Sequence, residues 1–294
     1  MHFSHVALVG VGLLGGSLGL ALRERRPAVH VTGYVRRPET VALCQQRDVA
    51  HHISTDLAAT VRHADLIVLC TPIGQFVSLA NAALPHLRPG AIVTDIGSTK
   101  ASVVEALEPL FLRAGSPFIG SHPMAGSEQT GVSSARANLF EGARCVVTPS
   151  PATPAPALEA VLDLWRSVGG IPMTMDAHEH DAVVSRSSHL PHVLAALLAR
   201  HVLDPAHPSP QRVLCASGFR DTTRIASGSP EMWRDIALSN REALLATLTN
   251  WSEDLASFIH ALENNDASTL ESLFRQAKER RDAWTDSQAR TPNS

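Results

Sequence analysis

Several polar segments of this sequence follow directly on short apolar runs and carry side chains able to seat a phosphate, take a proton or hold a carboxylate. The first, Gly10-Val11-Gly12-Leu13-Leu14-Gly15, lies between the apolar run His5–Val9 and the amphipathic stretch Leu13–Arg25. Glycines at this spacing permit a tight turn, let backbone approach a pyrophosphate and let a helix close on its strand. The helix N-terminus then offers free N–H groups and the positive end of its dipole to the phosphates. Glycine turns are common, and a turn without a ligand is the competing reading. The strand, helix and second strand (His30–Tyr34) around this one favour a dinucleotide site at Gly10, Gly12, Leu13, Leu14 and Gly15. About 20 residues on, such sites usually place an acid against the adenosine ribose hydroxyls. Here Val35 occupies that position and Arg36 and Arg37 follow it. Without the acid a 2′-phosphate meets no repulsion, and an arginine can bind it with two hydrogen bonds. NADP is therefore favoured over NAD, with simple solvation of a loop as the competing reading for both arginines. Thr71 and Pro72, ending a later apolar run, are placed to line the same crevice.

Three further segments hold the candidates for chemistry. In Asp95-Ile96-Gly97-Ser98-Thr99-Lys100, Ser98 or Thr99 could simply cap the next helix. In Gly120-Ser121-His122-Pro123-Met124-Ala125-Gly126-Ser127-Glu128, His122 is expected in a loop at the carboxyl end of a parallel strand. There an imidazole can take a hydroxyl proton as hydride leaves the same carbon. The third segment pairs Ser188-His189-Leu190-Pro191-His192 with Phe219-Arg220-Asp221-Thr222-Thr223-Arg224-Ile225-Ala226. His189 and His192, three apart on one helix face, could also suit a metal, and His178 and His180 lie nearby. Without an H-E-x-x-H spacing or an obvious third ligand, metal is the weaker reading, and His178 and His180 read as a polar helix start. Arg224 sits beside apolar Ile225 and Ala226, where an unpaired charge would be costly. It should therefore meet a carboxylate, on Asp221 or on a substrate.

The elements that must position these groups change character near residue 175. Before it, strand-like runs (His5–Val9, His30–Tyr34, 66–70, Ile92–Asp95, 118–120, 145–148, 171–175) alternate with helical stretches (Leu13–Arg25, 38–47, 74–86, 99–113, 158–168). That alternation predicts an α/β fold with a parallel sheet covered on both faces. A four-proline spacer spans 148–156. After it come one more helix-and-strand unit and then only long helical segments, 183–202, 230–249 and 255–289. We expect a Rossmann-like dinucleotide-binding domain over 1–175 and an all-helical domain over 176–294.

With 44% hydrophobic and 18% charged residues and a net charge of −3, the chain reads as globular. It lacks the basic stripe that nucleic acid requires. Four scattered cysteines without a C-x-x-C pair suggest a reducing compartment. Neither a leader nor an apolar run of about 18 residues is evident, so the expected location is cytoplasmic.

Taken together, residues 10–17, 95–100, 120–131, 188–192 and 219–226 resemble the prephenate/arogenate dehydrogenase family, in its order and over nearly the whole chain. The resemblance implies a dinucleotide-binding domain followed by a helical domain that dimerises. It implies His122 as the base for the ring hydroxyl, Ser98 as the residue orienting it, and Arg224 as the grip on the ring carboxylate. His189 and His192 would face the substrate, and Ser127 with Glu128 would form the pocket rim. The implied reaction is oxidative decarboxylation of prephenate to 4-hydroxyphenylpyruvate, with arogenate as the alternative substrate. Val35 departs from the acid many relatives carry, and with the polar end at 287–294 neither a regulatory nor a fused domain is expected. A 3-hydroxyacid dehydrogenase would need a lysine in its second domain, yet none occurs between Lys100 and Lys278. A catalytically silent NADP sensor on the same fold would be expected to lack His122 or Arg224.

Overall fold

Strand β1 (His5–Val9) alternates its side chains between two apolar layers, and the rest of the sheet is built around it. In the computed structural model, which describes residues 3–290, Val6 and Leu8 face a layer with Leu18, Leu22 and Trp165. Ala7 and Val9 face another with Ile67, Leu69, Phe76 and Phe111. This period-two division explains why the strand reads as continuously apolar: both faces are covered.

The other strands are β2 (His30–Tyr34), β3 (His52–Ser54), β4 (Leu66–Leu69), β5 (Ile92–Asp95), β6 (Phe118–Pro123), β7 (Arg144–Thr148) and β8 (Ile171–Thr174). They form one sheet in the order β3-β2-β1-β4-β5-β6-β7-β8. The chain reverses direction across the sheet between β1 and β4, opening at their carboxyl ends the crevice where α/β folds take ligands. Helices α1 (Leu13–Arg25), α2 (Pro38–Gln46), α3 (Leu57–Val61), α4 (Phe76–Ala83), α5 (Ala101–Arg113) and α6 (Ala155–Ser167) connect the strands. The short β3 and α3 were not expected from the sequence.

The all-parallel expectation needs one correction. Strand β6 pairs in parallel with β5 only at Phe118 and Ile119. From Gly120 to Pro123 it pairs antiparallel with β7, placing His122 opposite Val146. His122 therefore stands inside a strand, not in a loop beyond one.

Beyond β8 come α7 (Ala177–Val184), a π-helical turn (Ser185–His189), α8 (Leu190–Val202), α9 (Ser209–Val213), α10 (Ser217–Thr223), α11 (Pro230–Ser239), α12 (Arg241–Glu263) and α13 (Ala267–Arg290). The expected helix over 230–249 breaks at Asn240, whose side chain bonds the Asp181 carbonyl and His189. The one over 255–289 breaks at Asn265, in the left-handed conformation (φ 51°) that ends helices, and Asp266 caps α13 through the Thr269 amide. Residues 287–290 of the polar end are helical, and 291–294 lie outside the described residues. The chain packs as two compact units, one through Arg241 and one from Glu242. No described helix is long and apolar enough to cross a membrane.

Candidate active site

The glycine turn lies at the switch point, and its geometry fits a dinucleotide. Gly10 has φ +102°, and a Cβ there would lie 2.6 Å from Thr71 Cγ2. A Cβ at Gly15 would lie 2.2 Å from the Gly10 carbonyl oxygen, so α1 can approach β1 only without one. At Gly12 a Cβ would meet nothing within 4 Å, and no side chain caps α1 there. The Thr71 hydroxyl is buried without a hydrogen-bond partner. Open space at a helix N-terminus and an unpaired hydroxyl across from it are what a pyrophosphate and its ribose would fill. Leu13 and Leu14 are half-buried in the first turn of α1, and Pro72 follows Thr71 at the end of β4. At the far end of β2, Val35 is buried while Arg36 and Arg37 are exposed, neither in an ion pair among the described residues. Replacing Gly15 by alanine should weaken dinucleotide binding by roughly tenfold or more, the cost of overpacking a tight contact. Fluorescence titration checks this, and unchanged affinity would contradict the cradle.

Three strands away, His122 is 8% exposed and its Nδ1 lies 2.9 Å from His180 Nε2. Burial above all, with the neighbouring rings of His180 and His189 and the Lys100 ammonium adding to it, holds the His122 imidazole well below its ordinary pKa. The ring is therefore neutral near pH 7, as a base must be. Lys100 is fully buried against Asp95, which also accepts the Gly97 amide at 2.7 Å and the Ser121 amide at 3.0 Å. Burial pushes the Asp95 carboxyl up and the Lys100 ammonium down, and their mutual attraction opposes both shifts.

His180 corrects the reading of a polar helix start. His178 fits it, being exposed beside Glu105, but His180 is fully buried. Its Nδ1 is 2.7 Å from Asp181 Oδ1. The same carboxylate takes the Lys100 amide at 2.7 Å and the Ala101 amide at 2.9 Å, so Asp181 caps α5. Neither Ser98 nor Thr99 performs that role: Thr99 bonds Ser239 on α11, and Ser98 is the half-buried member of an otherwise buried run.

The helical elements supply a second wall. His192 stacks on Trp233 with ring centroids 3.8 Å apart, and His189 meets the same indole edge-on at 6.1 Å. The Asn240 amide donates to His189 Nδ1 at 3.1 Å. His189 Nε2, His192 Nδ1 and Trp233 Nε1 are all buried without a well-formed hydrogen bond, although backbone groups of Ser98 and Ile225 lie near the two histidines. Burial, outweighing the nearby Asp181 charge, pulls His189 down to about 4, and burial also lowers His192. Three ring nitrogens this poorly paired in one wall suit the polar groups of a ligand.

Arg224 departs from expectation twice. It opens a 3-10 turn after α10, its side chain 62% exposed, and its Nη1 donates to Glu128 at 2.8 Å. Its partner is thus neither Asp221 nor buried, though it does join the rim segment. Ser127 is exposed there and accepts the Gln129 amide at 3.2 Å. His180, Asp181, Trp233 and Asn240 were not singled out as site residues from the sequence. Only the unusual His-Glu-His-Asp run offered a signal.

Comparison with known proteins gives matches over both the sheet-forming and the helical elements. A model of the prephenate dehydrogenase nucleotide-binding domain matches residues 18–173, and one of the prephenate dehydrogenase dimerization domain matches 176–276. The chain is 35% identical to a prephenate dehydrogenase of Bacillus subtilis, over 94% of this chain and 75% of that protein. The structure of prephenate dehydrogenase from A. aeolicus in complex with hydroxyphenyl propionate and NAD+ is similar with a TM-score of 0.89 and 30% identity, covering 96% of this chain and 98% of that one. Synechocystis arogenate dehydrogenase is similar at 0.79 and 31%, covering 95% and 99%.

Proposed function

The chain belongs to the prephenate dehydrogenase family, an NAD(P)-linked group of oxidoreductases, and from that premise we propose how its own residues perform the oxidative decarboxylation of prephenate. His122 is the base: its free ring nitrogen takes the proton of the ring hydroxyl. A nicotinamide dinucleotide held by the Gly10–Gly15 turn and Thr71 would supply the hydride acceptor for the same carbon. The ketone so formed makes loss of the ring carboxylate favourable, because the ring becomes aromatic, and 4-hydroxyphenylpyruvate and CO₂ leave. Ser98, half-buried at the carboxyl end of β5, orients the imidazole towards the reacting carbon. Arg224, whose guanidinium is already held by Glu128, grips the ring carboxylate and fixes the substrate, which can remove several kcal/mol of entropic barrier. His189 and His192 present their poorly paired nitrogens to the substrate's polar groups, and Ser127 belongs to the rim.

The observation that carries this reading is a buried His122, bonded through Nδ1 to His180, beside a wall of ring nitrogens that lack a well-formed hydrogen bond. Its test is stoichiometry: one reduced nicotinamide and one CO₂ should appear for each prephenate consumed. Oxidation without CO₂ release would point to a different hydroxy acid.

The coenzyme preference is a finer proposal. Buried Val35 leaves no acid at the ribose position, and exposed Arg36 and Arg37 stand free to take a 2′-phosphate, so NADP is favoured over NAD. Arg36→Ala should weaken NADP about tenfold relative to NAD, the scale of one lost charge-assisted hydrogen bond. Titration with both coenzymes checks it, and equal loss for the two would remove the argument. We place the division between the dinucleotide-binding and helical domains near residue 175. We assign exposed Leu197, Leu198, Val213 and Leu214 on the helical elements to contact with a second copy in a homodimer.

A further inference from the structure

The pair formed by His180 and Asp181 has no part in the reaction as described so far, yet it is buried directly behind the proposed base. Hydrogen-bond direction decides what it does. The Asp181 carboxylate faces the Lys100 and Ala101 amides and His180 Nδ1, and it accepts from all three. Negative charge is favoured there, at the N-terminus of the 13-residue helix α5. A ring nitrogen facing a carboxylate donates, so the His180 proton sits on Nδ1 and its Nε2 carries a lone pair. His122 Nδ1, 2.9 Å from that lone pair, must then be the donor. The His122 proton is thereby held on Nδ1, and its Nε2 is left basic.

We propose that His180 and Asp181 are positioning residues that fix His122 in the Nδ1–H tautomer and strengthen it as a base. This rests on His122 being the base. When Nε2 accepts the hydroxyl proton, the resulting imidazolium still donates through Nδ1 to His180, now as a charge-assisted bond. The Asp181 carboxylate, one ring further on, faces that developing positive charge through His180. The arrangement works only if all three groups are in line, and the chain supplies them from two elements: His122 from β6, His180 and Asp181 from α7.

The test compares three variants by kcat, KM, coenzyme affinity and melting temperature, together with ring-nitrogen NMR of histidine-labelled protein. His180→Leu removes the acceptor and should lower kcat about 100-fold, the low end of general-base contributions, with KM and coenzyme affinity nearly unchanged. His180→Gln can accept from His122 with its carbonyl oxygen and donate to Asp181 with its amide, so it should recover kcat to within about tenfold of wild type. In the wild-type spectrum the His122 ring, identified by its loss in His122→Asn, should carry its proton on Nδ1. Wild-type kcat in His180→Leu, a glutamine variant no better than leucine, or a proton on His122 Nε2 would each overturn the inference. If the leucine variant does not fold, the glutamine variant and the wild-type spectrum decide alone: high kcat with Nδ1–H supports the inference, and either result reversed rejects it. A fully active His122→Asn would remove the base assignment and this inference together. An inactive His122→Asn beside a fully active His180→Leu would remove the inference alone.

Discussion

Replacing His122 by asparagine is expected to lower kcat by about 10³-fold, within the range general-base catalysis contributes. Dinucleotide affinity should hold, because the glycine turn and Thr71 lie at β1 and β4 while His122 lies on β6. Asparagine still offers a donor towards His180, so the fold should lose little. Steady-state turnover with coenzyme titration checks this, and wild-type turnover would remove His122 from the mechanism. The pH profile carries a second consequence. Burial lowers the His122 pKa well below its ordinary 6.5, so the ring is neutral and active above that lowered value and is lost as pH falls through it. The acid limb of kcat should therefore lie well below pH 6.5. A limb above pH 7 would mean that a different group acts as the base, or that His122 is solvated in the working enzyme.

Arg224→Gln should reduce kcat/KM by about 10²-fold, mainly through KM, since a lost charge-assisted grip on a carboxylate costs a few kcal/mol. Stability should be unaffected. The guanidinium is 62% exposed and its pairing with Glu128 is a surface contact of small worth. That separation makes the variant informative: a fall in kcat/KM without a fall in melting temperature places Arg224 on the substrate. Arg224→Lys should restore only part of the loss, because an ammonium cannot reproduce the planar two-pronged contact. Unchanged KM in Arg224→Gln would move the carboxylate contact elsewhere, with the poorly paired nitrogens of His189, His192 and Trp233 as the next candidates.

What could be read from the sequence was what is local. The glycine turn, β1, α1 and β2 lie within 30 residues, and apolar period, glycine spacing and the missing acid at Val35 are all visible there. His122 was recognisable by its neighbours, but its setting was not. Its strand pairs with β7, whose approach antiparallel to β6 no short window reveals. His180 was misjudged for a similar reason. A histidine in the first turn of a helix is ordinarily solvated, and its burial depends on contact with His122, 58 residues away. Arg224 failed in the opposite direction. Apolar Ile225 and Ala226 suggested burial, but the 3-10 turn directs the arginine outward to Glu128, 96 residues distant. The long helical runs were found, while their breaks at Asn240 and Asn265 went unseen. Asparagine inside a periodic segment is a weak stop signal until its side chain is known to be engaged elsewhere.

The central claim is an NADP-favouring oxidation of prephenate, and initial rates on a two-by-two grid test it most directly: prephenate or arogenate, each with NAD or NADP, at matched substrate concentration. The highest rate is expected with prephenate and NADP, the substrate from similarity to prephenate dehydrogenases and the coenzyme from Val35 and exposed Arg36. An arogenate-dominant result would keep His122 and Arg224 in place while changing the substrate, and NAD dominance would reject the reading of Val35 and Arg36. Silence in all four combinations, from folded protein that still binds NADP, would contradict the account as a whole.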